Sequence, residues 1–242
     1  MWTREQLKTN AKASLRRFHW AAVLVCLITL LLSGSGGFQI NFKVIFDVPF
    51  SDSEFLPILA KTFLPLSVGG LFSLLLSIFV CSVLEVGSSR FFLIGRERLP
   101  SVSILLDPFR ANYGNIVIVM LLRRVFIFLW GLLFVIPGIV KSYAYRMVPY
   151  LLAENPNLGY KRALELSSAM MNGHKMEAFI LDLSFIGWYL LSAITVNIVG
   201  VLYVNPYVQA TNAEFYTAIR SEAFSRGITG PDELPGTCTV SA

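Results

Sequence analysis

The chain has 242 residues, of which 55% are hydrophobic and 14% are charged, and its mean hydropathy is +0.64. Soluble domains carry about 25% charged residues, and a core of this size cannot bury so much apolar surface, so the composition excludes an ordinary soluble domain. The net charge of +5 does not indicate nucleic-acid binding, because the basic residues lie in short segments between apolar runs. The three cysteines, Cys26, Cys81 and Cys238, show no metal or disulfide spacing, and we predict no metal and no cofactor.

A basic amphipathic segment, residues 1–19, opens the chain. Thr3 and Gln6 have the spacing of a capping box, which indicates a helix start. Its apolar stripe consists of Trp2, Leu7, Ala11 and Leu15. We predict a helix on the cytoplasmic membrane surface, against anionic lipid headgroups. The apolar run at about 18–33 is the first predicted span, although a basic start and a short apolar core also describe a signal peptide.

The second predicted span covers about 65–87 and follows a loop, 38–62, that we place outside. Small residues recur in this span at four-residue intervals and therefore share one helix face: Gly69, Ser73, Ser77 and Cys81. Small residues let a neighbouring backbone approach closely, so we predict a helix-packing face. The basic segment 87–114 is predicted to be cytoplasmic.

Two predicted spans, about 115–136 and 138–153, lie back to back around Pro137 and Gly138. Proline ends a helix and glycine supplies a positive φ for a turn, so this pair is the predicted hinge between them. Pro149 and Pro206 are further predicted hinges, because proline interrupts the helical hydrogen bonds.

The remaining chain contains a second basic amphipathic segment, 155–173, which we predict to be a helix on the membrane surface, and two more predicted spans, about 176–196 and 198–219. Residues 221–242 are predicted to form a disordered cytoplasmic tail. The predicted fold is an all-α polytopic membrane helical bundle with about six transmembrane helices and amphipathic interfacial helices. Residues 1–220 would form a single integral membrane domain.

An even number of spans with both termini in the cytoplasm places nearly every basic segment on the inner side. Several polar residues then fall within the membrane: Arg123, Arg124, Arg146, Asp182, Asn205, Gln209 and Asn212. A charge at mid-membrane costs at least about 2.5–3.5 kcal/mol unless it is paired or hydrated. We predict that Asp182 pairs with Arg146 or Arg124. The network is either an ion pair that locks the bundle or a polar cavity that binds an anionic headgroup or substrate.

Five blocks of residues carry a resemblance when taken together: 1–8, 128–150, 171–175, 181–188 and 204–210. They resemble a bacterial integral-membrane family, domain of unknown function 975. The hairpin around Pro137 and Gly138 is also distantly similar to the membrane domain of glycerophosphodiester phosphodiesterases. The resemblance implies a multi-pass protein of the bacterial inner membrane, and it implies no activity.

The function predicted from these features is a non-enzymatic transporter-like, lipid-binding or accessory membrane protein. The alternative is a stress, immunity or assembly factor that acts through a membrane protein partner. An intramembrane lipid-modifying enzyme is disfavoured, because His19 and His174 are the only histidines and no catalytic motif is present. We therefore predict no catalytic residue, membrane lipids as partners and no nucleic-acid partner.

Overall fold

A computed structural model describes residues 2–33, 77–195 and 198–236, and all regular structure in these ranges is helical. The α-helices in chain order are α1 Arg4–Ser33, α2 Ser82–Glu97, α3 Asp107–Arg110, α4 Tyr113–Leu133, α5 Val135–Ala144, α6 Val148–Glu154, α7 Tyr160–Met170, α8 Lys175–Leu183, α9 Ile186–Ile194 and α10 Asn205–Ser225. π-Helical turns precede α2 and α10, at Ser77–Cys81 and Gly200–Val204, and a 3-10 helix spans Val102–Leu106. The predicted all-α class is therefore confirmed for the described residues.

Four helical stretches are long and apolar enough to cross a membrane: Arg4–Leu32, Ile78–Glu97, Tyr113–Leu133 and Lys175–Ile194. They support a membrane protein, but the predicted count of six is not confirmed. The predicted fourth span, 138–153, is divided between α5 and α6, so neither helix alone is long enough. The predicted sixth span, 198–219, is helical over most of its length but carries too many polar residues in α10 to qualify by hydropathy.

α1 joins the predicted surface helix and the first predicted span into one helix with a kink. The kink lies at Phe18, whose φ of −135° and ψ of 28° are not helical. The capping box forms: the Thr3 amide donates to the Gln6 side chain, and the Gln6 amide donates to the Thr3 hydroxyl. In the apolar stripe of the first half, Leu7, Ala11 and Leu15 are buried and Trp2 is half-buried. Because α1 packs chiefly on α10, protein rather than lipid covers most of this stripe.

The hairpin of α4 and α5 turns at Phe134, and the predicted hinge at Pro137 and Gly138 is wrong. Phe134 is extended, with φ −156° and ψ 139°, and α5 begins one residue later. Pro137 therefore lies in the first turn of α5, where the missing amide has no intrahelical partner to lose. Gly138 is buried within α5, and its Cα faces the backbone of Gly131 in α4.

After the hairpin, the helical structure is broken twice, at residues 145–147 between α5 and α6 and at residues 184–185 between α8 and α9. Pro149 lies in the first turn of α6, so it begins a helix instead of bending one. Pro206 lies in the first turn of α10, which follows directly on the π-helical turn Gly200–Val204. Residues 184–185 contain neither proline nor glycine, which explains why no sequence signal marked that break.

The break at 145–147 is held by a side chain from α7. The Ser167 hydroxyl is fully buried; it donates to the Ala144 carbonyl at 2.7 Å and accepts from the Met147 amide at 3.2 Å. α7 was predicted to lie on the membrane surface, but its apolar face is covered by neighbouring helices. A buried serine on that face therefore replaces the helical hydrogen bonds lost at the break.

Ser167→Ala is expected to lower the free energy of unfolding by about 1–3 kcal/mol, because it leaves a buried amide and a buried carbonyl without partners. Thermal or denaturant unfolding of the purified protein in detergent measures the change. Ser168→Ala, at the half-buried neighbouring position on α7, is the matched control. Equal stability of the two variants would contradict the bridging role of Ser167.

The carboxyl-terminal segment differs from the predicted disordered tail. α10 continues to Ser225, and residues 226–236, named here the C-terminal strap, fold back with Leu234 fully buried. Its side chains and backbone contact α7 and α10, which the sequence pattern alone could not show.

Residues 237–242, the 38–62 loop, Gly69 and Ser73 lie outside the described residues. Two residues of the predicted helix-packing face are described: Ser77 is the first residue of a π-helical turn, and the buried Cys81 thiol lies 3.4 Å from the Leu32 carbonyl of α1.

Candidate functional site

The break between α5 and α6 carries an arginine that binds a carboxylate on α8. Both terminal nitrogens of Arg146 donate to Asp182, each at 2.7 Å, which gives a bidentate ion pair. The Tyr143 hydroxyl donates to the same carboxylate at 3.0 Å. Paired, planar hydrogen bonds of this kind are the strongest that side chains form. The structure thus brings together two of the residues that the sequence places inside the membrane.

The same guanidinium reaches the last helix. Nη2 of Arg146 donates to the side-chain oxygen of Asn212 in α10 at 2.8 Å. Three elements therefore meet at one guanidinium: the break after α5, the end of α8 just before its own break, and α10. We name Tyr143, Arg146, Asp182 and Asn212 the junction cluster. Because two interrupted helices and a continuous helix share it, the junction cluster holds their relative positions.

Arg123 and Arg124 belong to a different group. Arg123 binds Glu85 of α2 at 2.8 Å, and Arg124 lies 3.5 Å from the other oxygen of that carboxylate. Asp182 consequently pairs with Arg146 and not with Arg124. Sequence reasoning missed Glu85 as a partner, although an acidic residue inside an apolar run is the signal that could have identified it.

Asn205 and Gln209 are half-buried, and neither side chain has a hydrogen-bond partner within the part of the chain that the structure describes. They share α10 with Asn212 but do not join the junction cluster. Tyr150 of α6 is within electrostatic range of both Arg146 and Glu85, and its ring stacks on Tyr216 at 5.1 Å. The charged residues predicted to lie inside the membrane therefore form two separate groups, one at Arg146 and Asp182 and one at Glu85, Arg123 and Arg124.

The basic segments converge at one end of the bundle. Arg17, next to the kink of α1, donates to the Arg96 carbonyl at 2.7 Å, and this hydrogen bond joins α1 to the end of α2. Asn112 and Asn157 bond at 3.1 Å and join the segments before α4 and α7. The C-terminal strap is tied to α7 by Arg162. We name this surface the basic end; it exposes the side chains of Arg4, Arg16, Arg17, Arg98, Arg110, Lys161 and Arg162.

His174 lies at this end, between two carboxylates. Its Nδ1 is 2.8 Å from Glu177 and its Nε2 is 3.2 Å from Glu222, while the Trp2 ring packs against it at 6.0 Å. The contacts tie the chain start to α8 and α10. Among the described residues, no group of His, Cys, Asp and Glu side chains is arranged to hold a metal ion.

Two further ion pairs of the basic end were not predicted. Arg96 binds Glu214 at 2.9 Å and Arg220 binds Glu154 at 3.0 Å, and both carboxylates are almost fully buried. Each pair joins helices far apart in sequence, so no local pattern indicated it. Unpaired, either carboxylate would be costly to bury, and the pairs therefore fix how α2, α6 and α10 meet.

The C-terminal strap is held by a bidentate pair outside the predicted spans. Arg162 donates to both oxygens of Glu233, at 2.7 and 2.8 Å, and to the Ile228 carbonyl. These hydrogen bonds lower the pKa of Glu233 below its ordinary value of 4.5 and raise the pKa of Arg162. A lowered carboxyl pKa means that docking of the strap is favoured when Glu233 is ionised.

We expect the strap to stay docked from pH 7 to about pH 5 and to loosen as the pH falls through the lowered pKa of Glu233. The pair is partly exposed, so its contribution is at most about 1 kcal/mol, or about fivefold in the protection of the strap amides against hydrogen exchange. Hydrogen exchange at several pH values measures this, with Glu233→Gln as the variant that should show no such step. A pH step of the same size in that variant would contradict the assignment.

Residues 132–223 match the profile of a family described as "Protein of unknown function (DUF975)". The predicted resemblance to domain of unknown function 975 is thus confirmed over this part of the chain, which contains the whole junction cluster. A search of the curated proteins finds no match. A search of the solved structures finds none either. The predicted similarity to glycerophosphodiester phosphodiesterases is not shown by these comparisons.

Proposed function

We propose that the protein is a non-enzymatic, multi-pass protein of the bacterial cytoplasmic membrane that binds anionic lipid headgroups with its basic end. The observation that carries the proposal is the convergence of the basic segments at one end of an otherwise apolar bundle. Anionic lipids attract such clusters with about 1 kcal/mol per basic side chain near the surface.

Away from the basic end, the bundle exposes large apolar side chains, among them Leu132, Ile136, Leu190 and Ile194, each more than 60% exposed. Such a surface suits acyl chains. In this proposal both termini are cytoplasmic, and α5–α6 and the segment from 198 to 219 supply the two spans beyond the four that qualify by length and composition. The junction cluster then lies in the inner half of the membrane.

The lipid preference can be measured in nanodiscs that contain phosphatidylglycerol and phosphatidylcholine. Replacing Arg16, Arg98 and Lys161 together by glutamine is expected to lower the enrichment of phosphatidylglycerol around the protein by at least about tenfold. The matched control is Arg16→Lys, Arg98→Lys and Lys161→Arg, which keeps all three charges. Unchanged enrichment in the glutamine variant would refute the proposed function.

A separate experiment tests on which side of the membrane the basic end lies. It uses Lys161→Cys in a protein from which the three native cysteines have been removed. A membrane-impermeant thiol reagent should label this position only after the cytoplasmic side is opened. Labelling in intact cells would overturn the proposed topology.

A further inference from the structure

The junction cluster has an open side that the internal ion pair does not fill. The Asp182 side chain remains 36% exposed and the Arg146 side chain 16%. Phe179 precedes Asp182 by one turn of α8, and Ile186 and Tyr189 follow it in α9, beyond the break at 184–185; these side chains are 44%, 54% and 46% exposed. A carboxylate paired with Arg146 is thus partly exposed on a surface that is otherwise suited to acyl chains, which offer it no hydrogen-bond donor.

The junction cluster has both an unused hydrogen-bond acceptor position and unused hydrogen-bond donors. A carboxylate accepts about four hydrogen bonds, and Asp182 receives three, from Arg146 twice and from Tyr143. A guanidinium has five N–H donors, and three of those of Arg146 are used. The Asn212 amide nitrogen has no partner within the described ranges. One acceptor site and several donors are therefore left side by side.

We infer that the junction cluster binds a zwitterionic aminophospholipid headgroup, with its primary ammonium on Asp182 and its phosphate on Arg146 and Asn212. This inference deepens the proposed lipid-binding function and rests on it. An ammonium supplies the donor that the open carboxylate lacks, and a phosphate accepts from guanidinium and amide groups. A purely anionic headgroup would leave the fourth acceptor position of the Asp182 carboxylate without a donor, and so it fits the cluster less well.

The depth of the cluster is compatible with a lipid of the inner leaflet. Asp182 lies seven residues from Lys175, the start of α8, or about 10 Å along the helix. The headgroup layer on each side of a bilayer is about 5–8 Å thick. With Lys175 in that layer, the carboxylate lies a few Å below it. The exposed aromatic side chains beside Asp182 then contact the upper acyl chains.

The test compares four lipids at equal mole fraction in phosphatidylcholine nanodiscs: phosphatidylethanolamine, its N-methyl and N,N-dimethyl derivatives, and phosphatidylcholine carrying an isotope label. Native mass spectrometry reports the lipid retained by the full-length protein. We expect phosphatidylethanolamine to be retained at least fivefold more than phosphatidylcholine, with retention falling as N–H donors are replaced by methyl groups. Equal retention across the series overturns the inference without any substitution in the protein.

Asp182→Asn is expected to abolish the preference, and Glu85→Gln is the matched control, because it disturbs the other intramembrane ion pair but not the junction cluster. An unchanged preference in Asp182→Asn places the ammonium elsewhere and overturns the inference. Soluble O-phosphoethanolamine should not compete; competition would identify a soluble ligand and overturn the assignment to a lipid.

Phosphatidylglycerol enrichment around the unsubstituted protein, measured in nanodiscs of phosphatidylglycerol and phosphatidylcholine, separates the two proposals. Enrichment of phosphatidylglycerol without a preference for phosphatidylethanolamine refutes this inference alone, whereas absence of enrichment around the unsubstituted protein refutes the proposed function.

Discussion

Arg146→Gln is expected to lower the free energy of unfolding by about 3 kcal/mol, the lower end of the range for removing one partner of a buried ion pair. The lower end applies because the Asp182 side chain is 36% exposed. The substitution leaves a carboxylate without its bidentate partner and removes the contact to Asn212 in α10. Reversible unfolding in mixed detergent micelles, followed by far-ultraviolet circular dichroism, measures the change.

A double-mutant cycle isolates the pair itself. Asp182→Asn combined with Arg146→Gln should be less destabilised than the sum of the two single variants, with a coupling of about 1–3 kcal/mol. Arg98→Gln is the control, because Arg98 is exposed at the basic end and its loss should change stability by less than about 0.5 kcal/mol. Additive single effects would show that Arg146 and Asp182 do not depend on each other.

Gly138→Ala is expected to destabilise the α4–α5 hairpin by about 1–3 kcal/mol through overpacking. A Cβ atom on Gly138 would lie 2.6 Å from the Cα of Gly131 and 3.0 Å from its amide nitrogen. Backbone atoms cannot rotate away as a side chain can, so the two helices must separate. Thermal unfolding together with the fluorescence of the neighbouring Trp130 reports the change.

Gly131→Ala in the same hairpin is the matched control. A Cβ atom there meets nothing within 4 Å, and alanine favours helix over glycine by up to about 1 kcal/mol. The two substitutions at facing positions should therefore act in opposite directions. Destabilisation of equal size by both would mean that the hairpin does not pack as closely as the structure indicates.

Local patterns in the amino-acid sequence were sufficient to predict a membrane environment and the approximate positions of the helices. Apolar runs of membrane length, a capping box at Thr3 and Gln6 and the clustering of basic segments are local patterns, each readable from neighbouring residues. The cost of an unpaired charge inside a membrane also led from the sequence to an arginine partner for Asp182. These inferences depend on composition and spacing, which folding does not alter.

The contacts between polar groups could be read only from the folded structure. Arg146 and not Arg124 binds Asp182, and Ser167 of α7 bridges the break at 145–147, because these contacts join residues 20 or more positions apart. The turn lies at Phe134, since Gly138 serves close helix packing instead of a positive φ. An apolar face in the sequence looks the same whether lipid or protein covers it. For the first half of α1 and for α7 the packing of other helices settled that question in favour of protein.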